Sequence, residues 1–158
     1  MHLCCTRITV LSLSSECLST KLCNVSAVVA MDAELNELSV DDVERPEDVI
    51  VSQWEGLPVS AQEVRERVDE ALRPLGVETS LVVIRRANSL ALYFICLTLS
   101  ALMSLRDQWR SQQLRDIVEK LFTILSGATQ TILVKRLSWL PSDYDRCLEF
   151  FSSFQGEQ

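Results

Sequence analysis

The groups in this chain best suited to act as nucleophiles, bases or metal ligands are six cysteines, one histidine and twenty-two carboxylates. The histidine is His2, in an arm expected to be unstructured, so candidate triads lack a base. Cys4, Cys5, Cys17 and Cys23 crowd into the first 23 residues, while Cys96 and Cys147 stand alone in apolar stretches. No Cys-x-x-Cys pair occurs, so a zinc site would have to gather thiolates from scattered positions. An even number of cysteines would suit a disulfide framework, but only Cys96 and Cys147 lie where the chain looks foldable. A reduced, buried thiol is the expected state of both. The four glycines, at positions 56, 76, 127 and 156, build no phosphate-cradling loop. Asp41-Asp42, or Asp143 with Asp145, could be drawn as an acid–base pair, yet solvation and helix capping account for them. The expectation is a chain with no catalytic residue, no metal and no cofactor.

Charge narrows the partners. The formal net charge is -7, with residues 1–30 at +1, residues 31–70 at -10 and residues 71–158 at +2. The acidic segment repels phosphates, and no basic stripe offsets it, so nucleic acid is an unsuitable partner. Tyr93 and Phe94 could suggest an RNA-stacking strand, but neighbouring residues point to opposite faces, which leaves at most one of them on an open sheet. Arg85 and Arg86 read as loop charges.

The elements that would position these residues follow from periodicity. Residues 1–30 show no sustained period, and the break into Met31-Asp32-Ala33-Glu34 resembles a natural start, so residues 1–47 are expected to be a flexible extension and acidic lead-in. A signal peptide fits poorly, because Glu16 and Lys21 interrupt the apolar run, and the sequon at Asn24 matters only with export. Val49-Ile50-Val51 predicts a first strand reaching Trp54. Ser60 and Glu63 form a capping box for a helix whose Val64, Val68, Ala71 and Leu72 share one face, ended by Pro74 and Gly76. Residues 81–84 and 90–99 predict two strands joined by a hairpin at 86–89. Leu114, Ile117, Val118, Leu121, Phe122 and Leu125 form a broad helical stripe capped by Gly127, with Leu102, Leu105 and Trp109 suggesting a helical start upstream. Residues 132–139 predict a strand, and Pro141 opens a last helix with Tyr144, Cys147, Leu148 and Phe151 inward, fraying from Ser152.

The order β-α-β-β-α-β-α predicts an α+β two-layer sandwich, an antiparallel four-stranded sheet with helices packed on one face, ferredoxin-like, over residues 48–154. Two alternatives stand beside it. Residues 87–105 carry no charge and are flanked by Arg86 and Arg106, a length that just reaches a single membrane span. A self-associating subunit, a homo-oligomer paired through an open sheet face, is the other.

Without catalytic equipment, recognition falls to large surface side chains. The candidates for a protein interface are Trp54, Phe94 and Trp139, with Trp109 assigned to the core. If the second sheet face is uncovered, Val49, Val51, Leu92, Phe94 and Leu133, or their alternates, would form an apolar patch in need of a partner.

A family resemblance adds a partner class. The run Leu92-Tyr93-Phe94-Ile95-Cys96 is followed by Leu105-Arg106-Asp107-Gln108-Trp109-Arg110, which leads into Leu114-Arg115-Asp116-Ile117-Val118. Ile132-Leu133-Val134 and Asp143-Tyr144-Asp145-Arg146-Cys147-Leu148 complete the pattern. From residue 90 onward the chain resembles the N-terminal docking domain of the tumour-necrosis-factor-receptor-associated death-domain adaptor. A similar pattern occurs in the C-terminal region of a death-effector-domain nuclear protein. The resemblance implies a cytoplasmic α-β sandwich acting as an adaptor or regulator in death-receptor or innate-immune signalling. It also implies a TRAF-type domain as partner, met by a sheet edge and an adjacent loop. The sequence departs from the adaptor in having no death domain after residue 151, which suggests a module that competes with or regulates a longer adaptor.

Overall fold

A computed structural model describes residues 26–36, 45–127 and 131–156. The first strand is not where the sequence placed it. β1 is Ala27–Leu35, whose Val29, Met31, Ala33 and Leu35 are buried while Asp32 and Glu34 are exposed, the two-residue period of a half-buried strand. Residues 49–54 belong instead to the helix α1, Pro46–Glu55. Proline at its first position supplies a preset φ, Glu47 and Asp48 favour the positive end of the helix dipole, and Ile50 is fully buried. These local signals outweigh the β-branched run Val49-Ile50-Val51.

A 3₁₀ turn, Leu57–Val59, leads to α2, Gln62–Leu72. The expected capping box is not formed. Ala61 occupies the cap position, and the Ser60 hydroxyl donates to the Gly56 carbonyl at 3.0 Å. A second 3₁₀ turn, Arg73–Leu75, ends at Gly76, whose φ of 91° is a left-handed conformation that a side chain would strain. β2 (Thr79–Arg86) and β3 (Leu90–Cys96) form the expected hairpin. Thr98 then caps α3 (Leu99–Arg110), its hydroxyl accepting from the Ala101 amide at 3.1 Å. α4 (Gln113–Leu125), β4 (Val134–Ser138) and α5 (Pro141–Gly156) complete the chain, α5 continuing past Ser152, where fraying was expected.

Residues 87–105 therefore divide into a turn, a strand and the start of a helix, and the single span proposed for them does not exist as a continuous element. Among the described residues no helix is long and apolar enough to cross a membrane.

The sheet order is β2-β3-β1-β4, with every neighbouring pair antiparallel. Two β-α-β units interleave in this way, and β1, not a strand at 49–54, stands beside β3 at the centre. The fold class is the expected one, an α+β two-layer sandwich with helices on one face of a four-stranded sheet. The boundary at residue 48 needs correcting, because β1 lies wholly within the segment assigned to the extension. The expectations for Cys4, Cys5, Cys17, Cys23, Asn24 and Asp41-Asp42 lie outside the described residues.

Register fixes what faces the helices. Phe94 lies between Val29 and Leu81, and Leu92 between Met31 and Ile84. These residues are buried together with all six apolar residues of the α4 stripe. The opposite side of the same strands carries Val28, Ala30 and Asp32 beside Ala91, Tyr93 and Ile95. β4 pairs only with residues 32–35 of β1, so the remaining edge of that strand needs another partner. α5 supplies it, with Asp143 Oδ2 accepting from the Ala30 amide at 3.2 Å and the Cys147 thiol donating to the Val28 carbonyl at 3.5 Å.

Candidate functional site

The three residues singled out for an interface fall in different environments. Phe94 is 1% exposed on the helix-covered side of β3, and its burial makes it part of the core. Trp139 is 4% exposed. Its ring meets Trp109 edge-on at 5.9 Å and Tyr144 at 5.2 Å, and its indole N–H donates to Asp143 Oδ2 at 3.3 Å. A side chain held on every side in this way cannot reach a partner without opening the fold. The apolar patch does not assemble either. Leu92 and Phe94 are buried, Val49 and Val51 lie on α1, and only Leu133 of that set is exposed.

Trp54 is the candidate that the structure leaves at a surface. α1 runs beside β2, tied at its start by Arg86, which reaches Glu47 at 3.5 Å and Asp48 at 3.1 Å. At its other end the Trp54 indole N–H donates to the Val82 carbonyl at 3.3 Å. Val82 lies at an irregularity of β2 between Leu81 and Val83, where one residue more than the partner strand must be accommodated. The bulge leaves the Val82 side chain 44% exposed.

Between these elements lies a groove of about 800 Å³. Trp54, Leu57 and Pro58 form one wall, and residues 82–85 of β2 form the other. Arg65 and Asp69, one helical turn apart on α2, close one end. Glu55 and Arg85 add a further charge of each sign, and among the described residues none of these four forms an ion pair. The groove is thus apolar in its walls, balanced in charge, and open along an edge strand. Leu57, Pro58, Arg65, Asp69, Val82 and Arg85 were not anticipated as its lining. The only signal in the sequence was Gly56-Leu57-Pro58 as a turn, since a bulge within a β-branched run has no distinctive spelling.

The Cys96 thiol is not poised for chemistry. Burial pushes the Cys96 thiol up to about 12, opposed only in part by the Thr79 hydroxyl beside it at 4.0 Å. Neither Cys96 nor Cys147 is in a disulfide.

A scan against protein-family models finds no match to this chain, and a search of curated proteins finds none either.

Proposed function

We propose that this chain is a non-catalytic protein-docking module whose binding surface is the groove between β2 and the Trp54–Pro58 wall. The observation that carries the proposal is an edge strand with an apolar trough beside it. An edge strand offers backbone donors and acceptors to an incoming extended segment, and an adjacent apolar trough takes side chains from it. Trp54 and Leu57 suit the anchoring role, since aromatic and well-packed apolar groups dominate interface energies. The balanced charges at the ends of the groove set register more than affinity.

The resemblance to the receptor-adaptor domain supplies the partner class, a TRAF-type domain meeting a sheet edge and a loop. On that reading the module acts in the cytoplasm as an adaptor or regulator in death-receptor or innate-immune signalling. Two buried cysteines outside any disulfide agree with a reducing compartment.

Calorimetric titration of the full chain with a purified TRAF domain tests this. Val82→Glu changes an exposed side chain in the groove and should weaken binding by at least about tenfold, or about 1.4 kcal/mol, with the thermal unfolding curve unchanged. Leu140→Glu, also at an exposed site but outside the groove, should bind as wild type does. Wild-type affinity in Val82→Glu would exclude the groove. Light scattering that shows a dimer dissolved by Val82→Glu would assign this edge to a second copy of the chain and overturn the TRAF-type reading.

A further inference from the structure

A second cavity, of about 400 Å³, lies where α3 turns into α4 and is lined by Trp109, Arg110, Gln112, Arg115 and Leu137. It shares no lining residue with the groove beside β2. The turn is tight. Ser111 ends α3 and Gln112 takes a left-handed φ of 70°, so that Arg110 and Arg115 reach the same cavity from the two helices. Trp109 forms a fixed wall, its indole N–H donating to the Leu137 carbonyl at 2.8 Å.

Among the described residues the two arginines lack partners. Neither forms an ion pair or a side-chain hydrogen bond with any of those residues, although Asp107 and Asp116 lie within three residues of Arg110 and one residue of Arg115 respectively. Neither acid lines the cavity. The Arg115 Nε is buried with no acceptor, a loss that native structures normally cover with protein, water or a bound group. Guanidinium groups present forked donors suited to phosphoryl oxygens, and two of them balance a dianion where a carboxylate would neutralise only one. The volume exceeds that of a bare oxyanion, and Trp109 and Leu137 offer apolar surface beside the charged groups.

We infer that this cavity binds a phosphomonoester dianion, its phosphoryl oxygens between Arg110 and Arg115 and its organic part against Trp109. The same chemistry is shared by phosphorylated side chains and by small phosphate esters, so the test uses phenyl phosphate, phosphoserine and inorganic phosphate as separate probes. Calorimetry on the full chain at low ionic strength should give saturable binding of phenyl phosphate with a Kd near or below about 1 mM. Inorganic phosphate, lacking the organic part, should bind at least about threefold more weakly. Phosphoserine as tight as phenyl phosphate would point to a modified side chain as the source, and phosphoserine no tighter than inorganic phosphate to an aromatic ester. Arg110→Gln alters an exposed residue and should weaken phenyl phosphate at least about tenfold without changing the unfolding temperature, and Arg115→Lys should weaken it because the fork is lost. Arg73→Gln, an exposed arginine elsewhere, should change nothing. No saturable binding at about 10 mM, or equal binding by Arg110→Gln and wild type, overturns the inference.

Discussion

Cys96 is the last residue of the central strand β3, with Ala27 opposite it on β1 and Thr79 opposite it on β2. Burial holds its thiol protonated up to about 12, against an ordinary value of 9.0. The native chain therefore keeps a proton that the unfolded chain gives up between those values, and stability falls as pH rises through that window. Urea unfolding at pH 7 and pH 10 should show wild type losing about 1.4 kcal/mol more than Cys96→Ala over that interval, and an equal loss in both would refute the assignment. Reading Cys96 as a buried reduced thiol required only its apolar neighbours in sequence. Phe94 and Trp139 required more. An aromatic residue in a strand faces a core or a partner according to register, and Phe94 is buried because Val29 and Leu81 flank it from strands that begin elsewhere in the chain. Trp139 is buried because Trp109 and Tyr144 close on it from two helices. Neither fact is written in the local spacing of residues.

At the level of elements, the hairpin of β2 and β3, the α4 stripe and the final helix were legible because each carries its own period. The first strand was misplaced, from 27–35 to 49–54, for reasons equally local. Val49-Ile50-Val51 has strand composition, while Pro46, Glu47 and Asp48 just before it carry helix-start chemistry, and the start signal decides the outcome. In β1 the exposed Asp32 and Glu34 disguise an alternation that Val29, Met31, Ala33 and Leu35 complete. The groove depends on this corrected assignment, since α1 as a helix brings Trp54 to the bulge in β2. Trp54→Phe keeps most of the ring's burial and removes only the indole bond to the Val82 carbonyl. It should cost roughly 0.5–1.5 kcal/mol in urea unfolding, and a loss well above that range would show that Trp54 is held by more than this contact.

For the molecule as a whole, the sheet order β2-β3-β1-β4 makes β1, the earliest strand among the described residues, a central one. A chain beginning at Met31 would lose Ala27, Val28, Val29 and Ala30, which pair with residues 93–96 of β3 and include three buried side chains. Such a truncation should lack a cooperative thermal transition by circular dichroism, whereas a folded truncation would show that β1 is dispensable. The same order leaves β2 as an edge, and on that edge the proposed docking surface depends. Hydrogen–deuterium exchange of the full chain, free and saturated with a TRAF domain, reads out whether that edge is occupied. Slowed exchange is expected in residues 82–85 and in residues 54–59, with little change along β4. Protection confined to other surfaces, or no protection at any TRAF-domain concentration, would contradict docking at that edge.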